Sequence, residues 1–336
     1  MTDWEKILSK HEEGNFLQSE QWARVNEEIG HKVVMAVINK TGLCSMIVKN
    51  AKRGRYLEIP GGPLIDWNNK KEVEAAVLEI TKTAKYYHCV FARIRPQLRN
   101  SEENRKILKE AGFRVAPMHL AAEHTVILDL TKSEETIYAE MRRQTRYEVN
   151  HSARLDLVVE KSNSVEIFKE FHQVQLETAK RQNFFPPDLK TLMAEREAFG
   201  DEAWIYVAKT GKNTVFKDKK YEPGLPIAYG LVIQNGPEAE YYEAASTDLH
   251  RVLSGAYALQ REIIKDLKKQ GIKRYNLWGI APPNSPNHRY AGVTTFKKGF
   301  GGEVVEFVPA HDLVLNKPKY LPNLIIENIR KKRRHL

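Results

Sequence analysis

Cysteine is scarce in this chain, with two residues among 336. Cys44 and Cys89 each begin an apolar run, CSMIV and CVFA respectively. A chain with so few cysteines has no disulfide framework. We therefore expect two buried, reduced thiols in strands, and neither a disulfide nor a redox pair.

Long hydrophobic runs are absent as well. No apolar stretch approaches the roughly 20 residues that a membrane-spanning helix needs. The first residues, MTDWEKILSKHEEG, contain no apolar signal region. These absences predict a cytoplasmic protein, and they leave open a peripheral contact with the inner face of the membrane.

Several motifs of metal, nucleotide and covalent chemistry are missing. The eleven histidines form no H-x-x-x-H pair and no cluster with cysteine, and no acidic run has the calcium-loop pattern. The G-x-S-x-G elbow, the P-loop and the G-x-G-x-x-G loop are also absent. The sequence therefore predicts no metal and no hydrolase with a covalent intermediate.

Positive charge is what the chain has in excess. The 53 Lys and Arg residues outnumber the 43 Asp and Glu residues, which gives a net charge of +10. Such a balance favours polyanionic partners, namely nucleic acid, nucleotide diphosphates or an anionic membrane surface. Composition alone does not distinguish among these partners.

Helical and strand patterns alternate along both halves of the chain. Val73, Val77 and Ile80 recur at helical spacing, which predicts a helix from about Lys71 to Lys85. The length suggests two domains of ordinary size, with a cleft between them as the default ligand site. Strand patterns occur on both sides of that division, at KVVMAVIN, LCSMIVKN, CVFARIRPQL, WIYVAKT, LPIAYGLVIQ and AEYYEAAS.

The segment from Thr294 to Leu315, TTFKKGFGGEVVEFVPAHDLVL, is the most informative stretch. It predicts a glycine-marked corner between Phe296 and Gly302, followed by one strand. Glycine lets the backbone approach a ligand closely, and the two lysines bring positive charge, so the corner suits a site for an anion or a polar carbonyl. A hairpin with Gly301 and Gly302 at its turn, and with solvated lysines, is the alternative.

The turn from Arg251 to Ala256 opens a helix after a strand. Backbone N–H groups at a helix start can hold a phosphate. The turn resembles a degraded form of the pyrophosphate-binding turn of GNAT acetyltransferases, with Ser254 in place of a glycine. The alternative is a plain helix N-terminus with Ser254 as its cap.

Basic residues cluster in two helical patterns. The segment EETIYAEMRRQTRYEVNHSAR predicts one basic helix, in which Arg142 and Arg146 share a face and Arg143 lies beside them. The tail KYLPNLIIENIRKKRRHL predicts a helix with a basic end. A phosphate-binding face and a solvated face both fit the first helix, and the tail suits RNA, anionic lipid or neither.

An ordered set of motifs carries a family resemblance. The motifs are FLQSEQWARV, IPGGPL, RIRP, DLTK, YYEAAS, NLWGI and TTFKKGFGGEVV. In these stretches, which span nearly the whole chain, the sequence resembles the Fem family of aminoacyl-tRNA-dependent transferases that build the interpeptide bridge of peptidoglycan. No sustained heptads occur, so the chain resembles the compact members that lack a coiled-coil arm.

The resemblance implies an α/β (α+β) fold with two GNAT-like (acyl-CoA N-acyltransferase-like) domains packed around a cleft. Residues 1–130 together with 312–336 would form the first domain, on the precursor side. Residues 131–311 would form the second domain, on the side of tRNA and the acyl donor. A monomer is expected.

The implied reaction is acyl transfer, in which an amine on the stem peptide of lipid II or UDP-MurNAc-pentapeptide attacks the aminoacyl ester at the tRNA 3′ end. The ester is already activated, so the site must orient two polyanions and stabilise an oxyanion. Lys297 matches a family lysine thought to contact the tRNA end and stabilise that charge. Phe296 would line the site and stack on the terminal base of the tRNA. Glu243 would accept the proton of the amine, with an exposed strand carboxylate as the alternative.

Several positions depart from the compact family members. Arg95 stands where those carry an acidic residue, and it is our candidate for the diphosphate contact. Asn26, Pro186 and Glu243 replace a basic substrate contact, an arginine and a tyrosine, respectively. The further site predictions are substrate binding by Trp22, Arg95, Tyr242 and Trp278, and tRNA binding by Arg142, Arg143, Arg146 and Lys298.

Two other functions remain open. The turn at Arg251 suits an acyl-CoA-dependent N-acyltransferase of the GNAT type, and the basic helix and tail suit a non-enzymatic binder of RNA or membrane. In the Fem interpretation, aminoacyl-tRNA is the co-substrate and no cofactor is needed. The sequence identifies neither the amino acid added nor the form of the acceptor.

Overall fold

The computed structural model describes residues 2–182, 184–286 and 288–334. It divides into two compact units, Met1–His124 with Val305–Leu336 and Thr125–Val304, which we call the first and the second unit. Each unit is built around one mixed sheet with helices packed on it. The predicted α/β class is confirmed.

Helices and strands alternate along much of the chain. The helices are α1 Asp3–Leu8, α2 Glu20–Glu28, α3 Lys70–Tyr86, α4 Glu102–Glu110, α5 Glu134–Glu140, α6 Arg143–Arg154, α7 Val165–Gln182, α8 Leu189–Phe199, α9 Gly255–Lys269, α10 Ala291–Gly299 and α11 Lys317–Arg334. The strands are β1 Lys32–Ile38, β2 Gly42–Ala51, β3 Gly54–Gly61, β4 Cys89–Pro96, β5 Arg114–Val115, β6 His124–Asp129, β7 Leu157–Ser162, β8 Ala203–Thr210, β9 Val215–Phe216, β10 Lys219–Lys220, β11 Pro226–Asn235, β12 Glu238–Ser246, β13 Arg274–Asn276, β14 Glu303–Glu306 and β15 His311–Val314.

The first unit has the sheet order β1-β2-β3-β4-β15-β5. Strands β3 and β4 are parallel, while β15 runs antiparallel to both β4 and β5. Leu57 and Ile59 of β3 pack with Ile80 of α3 in the main core of this unit. Cys44 and Cys89 are buried and free, which confirms the prediction made for them.

A buried ionic cluster joins β4, β15 and α11 in the first unit. Arg93 donates from Nε to Asp312 Oδ1 at 2.7 Å and from Nη2 to Glu327 Oε2 at 2.8 Å. Tyr320 donates its hydroxyl to Asp312 Oδ2 at 2.7 Å. Every charge in this cluster has an opposite charge beside it, as buried ions require.

The second unit has the sheet order β14-β6-β13-β12-β11-β8-β7. Strands β12 and β13 are parallel, and the other pairings resolved along the sheet are antiparallel. On one side, Leu259 and Ile263 of α9 pack with Tyr241 of β12. On the other side, Phe171 of α7 lies 6.2 Å from the ring of Tyr229 in β11.

Two predicted elements differ from the structure. The single strand expected after Gly302 is two strands, β14 and β15, which belong to different sheets. Pro309, which lacks the N–H that a ladder needs, lies between them. The single basic helix is broken into α5 and α6, since Met141 and Arg142 adopt extended backbone angles. The tail helix is confirmed to Arg334, while residues 335–336 lie outside the described part. No helix of the described residues has both the length and the apolar character needed to cross a bilayer.

Candidate active site

Lys297 lies near the end of α10, in the second unit. Its side chain is only 8% exposed, and Nζ donates a hydrogen bond to the carbonyl oxygen of Gly279 at 2.9 Å. Burial lowers the pKa of this ammonium to about 7. A lysine held in this way exchanges its proton near neutral pH and presents N–H groups from a dry site.

The prediction of a glycine corner around Lys297 was wrong, because this stretch is the helix α10. Val293, Thr294 and Thr295 have low helix propensity, but tertiary contacts override it. The carbonyl oxygen of Gly299 accepts a hydrogen bond from the Arg142 amide at 2.8 Å. A Cβ at Gly299 would lie 2.3 Å from an oxygen of Thr145, so only glycine permits this approach of α10 to the start of α6.

Two glycines then turn the chain away from α10. Gly301 and Gly302 have φ angles of +81° and +80°, a region that favours glycine. A Cβ at Gly301 would lie 2.8 Å from the Glu140 carbonyl oxygen, and one at Gly302 would lie 2.5 Å from that of Ile127. These glycines therefore serve close packing of the backbone at the end of α10, and no hairpin turn is formed.

Phe296 belongs to an aromatic cluster. Its ring centroid lies 5.2 Å from that of Tyr257 and 5.1 Å from that of Phe300, both in edge-on arrangements. The ring is half-buried. Its predicted stacking on a terminal base stays a prediction.

A short chain of contacts connects Lys297 to β12. Trp278, which precedes the Gly279 that accepts from Lys297, has its ring 5.5 Å from that of Tyr242. Trp278 also has a φ of +61°, an uncommon conformation for a bulky residue that is often found at functional sites. Its amide donates to Asn276 Oδ1 at 3.0 Å, which helps to hold this conformation.

Tyr242 occupies a bulge in β12. Tyr241 pairs with Val232 and Glu243 pairs with Leu231, so Tyr242 is the extra residue of the strand. The parallel pairing of β12 with β13 ends before this bulge, although β12 continues. Bulges re-aim side chains beside functional sites, and this one places the ring of Tyr242 beside Trp278, which follows β13.

Glu243 is a half-buried carboxylate that accepts a hydrogen bond from Gln175 Nε2 at 2.6 Å. Burial raises the pKa of this carboxyl to about 7, although the bond from Gln175 acts in the opposite direction. The alternative of an exposed strand carboxylate is therefore wrong. A carboxylate with this pKa is suited to accept a proton at neutral pH.

Glu195 of α8 is a second carboxyl group beside Glu243, and our sequence reasoning missed it. It is 1% exposed, and its Oε2 has no hydrogen-bond partner within residues 2–182, 184–286 and 288–334. Burial and then the charge of Glu243 raise its pKa well above the ordinary value. The missed signal was its spacing, because Glu195 shares the buried stripe of α8 with Leu192 and Phe199.

Comparison with known proteins decides the family of this chain. The FemAB family model matches residues 2–218 and 209–327, which together cover nearly the whole length. The chain belongs to the FemAB family. It is a Fem-type aminoacyltransferase, of the class that builds the interpeptide bridge of peptidoglycan. The predicted membership of the Fem family is thereby confirmed.

Relatives of this FemAB family member include proteins of known name and structure. The aminoacyltransferase FemA of Staphylococcus epidermidis is 25% identical over 341 residues, with 79% of this chain and 81% of that protein covered. The crystal structure of FemX matches with a TM-score of 0.83 at 18% identity, covering 97% of this chain and 98% of that one. A tandem GNAT protein from the clavulanic acid biosynthesis pathway matches with a TM-score of 0.51 at 9% identity, covering 81% and 78%. These likenesses confirm the predicted GNAT-like fold.

The predicted tRNA-binding residues of this Fem-type enzyme fall into two groups. Arg142, Arg143 and Lys298 are exposed, and the first two lie where the start of α6 meets the end of α10. Arg146 instead donates to the carbonyl oxygens of Ala139, at 3.1 Å, and of Met141. Its guanidinium thus caps the end of α5. Binding of tRNA by these four residues stays a prediction.

Two predicted substrate-binding residues, Trp22 and Arg95, lie in the first unit. Arg95 is 1% exposed, and its guanidinium carbon lies 5.2 Å from the centre of the Phe307 ring. Its Nε and Nη1 have no hydrogen-bond partner among the described residues, and burial lowers its pKa to about 10. Trp22 is half-buried, with its ring 5.5 Å from that of Phe16. Their contact with substrate stays a prediction.

The start of α9 differs from the predicted cap. Ser254 forms no side-chain cap, and its hydroxyl donates instead to Glu148 Oε2 at 2.7 Å. Nδ1 of His151 lies 3.1 Å from the same hydroxyl oxygen. A carboxylate beside this helix start opposes a second anion there, which argues against the pyrophosphate-binding alternative.

The second unit also contains a cavity beside Gly301 and Gly302. Its volume is about 820 Å³, and its lining includes Asp129, Lys132, Arg274 and Gly302, without any of the predicted site residues. No group of three or more His, Cys, Asp or Glu side chains in the described ranges is placed to hold a metal ion.

Proposed function

We propose that this Fem-type aminoacyltransferase moves an amino acid from aminoacyl-tRNA to the stem-peptide amine of a peptidoglycan precursor. The precursor is either lipid II or UDP-MurNAc-pentapeptide, and the reaction takes place in the cytoplasm, where charged tRNA is found. The observation that carries the proposal is the buried Lys297, which donates to the carbonyl oxygen of Gly279 beside Trp278. The ring of Trp278 contacts that of Tyr242, which precedes Glu243 in β12.

The chemistry follows from these two groups. The amine attacks the ester carbonyl, so that a C–N bond forms and the bond between that carbon and the ribose oxygen breaks. Glu243 accepts the proton that the amine loses, and the ribose oxygen leaves with a proton from Lys297 or water. N–H groups of Lys297 stabilise the negative charge on the carbonyl oxygen. A single donor of this kind contributes about 10²–10³-fold in rate.

Positive charge on the second unit suits the binding of aminoacyl-tRNA, which donates the amino acid. Arg142, Arg143 and Lys298 are exposed near the ends of α6 and α10, within a chain whose net charge is +10. Phosphates of tRNA bind such residues and fix the position of the strand. Because the ester is already activated, no cofactor beyond aminoacyl-tRNA is required.

An acyl-CoA-dependent N-acyltransferase is the less favoured alternative. The GNAT-like fold is compatible with it, but Glu148 lies 2.7 Å from the Ser254 hydroxyl at the turn where the pyrophosphate would bind. A thermal-shift measurement with acetyl-CoA separates the two functions. Stabilisation by acetyl-CoA together with acetyl transfer would favour this alternative.

The direct test combines the protein with a mixture of charged tRNAs and, in separate reactions, the UDP-linked and the lipid-linked precursor. Mass spectrometry of the products is expected to show the mass of one or more amino acids added to one precursor. Lys297→Met should abolish most of this gain. Lys269→Met is the matched control, because it removes an exposed lysine of α9 in the same unit that has no predicted role in the site. No gain on either precursor with any charged tRNA would overturn the proposal.

A further inference from the structure

Helix α11 turns polar residues toward the sheet of the first unit, to which it belongs. Asn323 Oδ1 accepts a hydrogen bond from Arg53 Nε at 2.8 Å, and Glu327 Oε2 accepts one from Arg93 Nη2 at 2.8 Å. Tyr320, at 3% exposed, belongs to the same buried face. Leu324 packs with Tyr320 against residues of β4 on this face, so the inner face of α11 combines polar and apolar contacts. An ordinary surface helix has its large apolar residues on the inner face.

The opposite face of α11 is an exposed apolar stripe. Leu321, Ile325 and Ile329 are 56%, 52% and 46% exposed. They are spaced four residues apart, so they line one face of the helix over about 12 Å. Large aliphatic side chains grouped in this way on a surface mark an interaction site.

Positive charge flanks the stripe at both ends. Lys317 and Lys319 precede it, and Arg330 and Lys331 follow Ile329; all four are exposed. The sequence continues with Lys332, Arg333 and Arg334. Glu327 is the single acidic residue in the sequence of α11, and it is bound to Arg93. The exposed face therefore combines aliphatic side chains with cations.

We propose that α11 docks on the surface of an anionic phospholipid bilayer. Leu321, Ile325 and Ile329 enter the boundary between headgroups and acyl chains, and the flanking Lys and Arg side chains lie beside the lipid phosphates. RNA would match the cations but would leave the aliphatic stripe in water. A second copy of α11 would bring like charges together. An anionic bilayer satisfies both features of the helix.

The inference does not rest on the transfer reaction, because it concerns phospholipid alone. The test is cosedimentation of the full chain with vesicles of phosphatidylglycerol and phosphatidylcholine, compared with vesicles of phosphatidylcholine only. Binding to the anionic vesicles should be at least about tenfold stronger, since several cations act together. Salt should weaken it.

The stripe is tested by the double variant Ile325→Asn/Ile329→Asn. Loss of two aliphatic side chains should weaken vesicle binding about tenfold or more. The matched control is Leu78→Asn, which alters an aliphatic residue on α3 that is 69% exposed and should bind as the unchanged protein does. Because all three positions are exposed, the thermal unfolding midpoint should stay constant.

The charges are tested separately by Arg330→Glu/Lys331→Glu, which should weaken binding to anionic vesicles and leave the residual binding to phosphatidylcholine unchanged. Three results would overturn the inference. They are no binding of the unchanged protein to anionic vesicles, full binding by the double asparagine variant, and a loss of tRNA affinity in that variant without a loss of vesicle binding. The last result would make this face an RNA site.

Discussion

Two buried cations of this molecule, Arg93 in the first unit and Lys297 in the second, are compensated in opposite ways. Burial opposes the charge of Arg93, yet the carboxylates of Asp312 and Glu327 outweigh it and raise the pKa. Lys297 has a carbonyl oxygen as its hydrogen-bond acceptor, and burial lowers its pKa to about 7. Fully paired charges hold elements together, whereas an undercompensated charge is typical of a site that handles protons or developing charge.

The same contrast applies to carboxyl groups. Asp312 faces the guanidinium of Arg93 at 2.7 Å. Glu195 and Glu243 face each other instead, and their pKa values rise because of burial. The charge of Arg95 is compensated as poorly as that of Lys297, and unlike that of Arg93. Its Nε and Nη1 atoms have no hydrogen-bond partner within the described ranges. The comparison thus separates groups that stabilise the fold from groups available for chemistry.

The substitution Arg93→Met tests the structural role of the paired cation and should have the largest effect on stability. It leaves two carboxylates without their buried cation, and such a loss costs about 3–5 kcal/mol in the free energy of unfolding. Urea unfolding measures this change, while turnover per folded molecule should stay the same. Arg55→Met, at an exposed position of β3, is the control and should change stability by less than about 0.5 kcal/mol. A larger effect on turnover than on folding would place Arg93 among the catalytic groups.

Lys297→Met should have the opposite result, a loss of turnover and none of stability. We expect turnover to fall about 10²–10³-fold, with no loss of stability, because a buried and poorly compensated ammonium disappears. The lowered pKa means that the unfolded chain binds this proton more tightly than the folded chain does. The unfolding free energy of the unchanged protein should therefore rise as the pH increases from about 7 toward the ordinary lysine range, and the variant should lack this rise. The control Lys269→Met, at an exposed position of α9, should keep both the activity and the rise of stability with pH.

The pH dependence of kcat/KM sharpens the comparison. Glu243 must be ionised to accept a proton and Lys297 must be protonated to be cationic, so the profile should be a narrow bell around pH 7 that falls about tenfold per pH unit on each side. Glu243→Gln should remove the acid limb and lower the maximum about a hundredfold. An acid limb that survives this substitution would assign the base to another residue.

Glu195→Gln should have the smallest effect. Burial and the charge of Glu243 raise the pKa of Glu195 and so favour its neutral form. The amide imitates that form, and the acid limb should not move. The raised pKa of Glu195 means that the folded chain keeps a proton that the unfolded chain releases, so the unchanged protein loses stability as the pH rises above the ordinary glutamate range. Chemical unfolding at several pH values should show that the variant becomes more stable than the unchanged protein by a margin that grows over this range. A displaced acid limb would show that Glu195 is ionised in the active form.

The sequence predicted much of the fold because the local signals agreed with the tertiary structure. The helix at Val73, Val77 and Ile80 has its apolar stripe on the core, and the motif order was sufficient to indicate the family. Lys297, Trp278 and Tyr242, predicted partly from the resemblance, lie in one chain of contacts, and Glu243 follows Tyr242 in β12.

The failures arose where tertiary contacts override local preference. Helix α10 contains β-branched residues and glycines, and it forms because Gly299 fits against α6. The break between α5 and α6 exposes the Arg142 amide, whose partner is distant in sequence. The burial of Glu195 depends on a sheet face that no local pattern specifies, although its place on an apolar stripe was a usable warning.

The hydroxyl of Ser254 has a consequence for the basic helix. The pyrophosphate-binding turn of GNAT enzymes corresponds to the start of α9 in this chain. There the Ser254 hydroxyl instead donates a hydrogen bond to Glu148 of α6. The start of α6 is tied to α10 through the Arg142 amide and the Gly299 carbonyl. Because α6 is held at its start and near its middle, the positions of Arg142 and Arg143 relative to the helix that carries Lys297 are fixed.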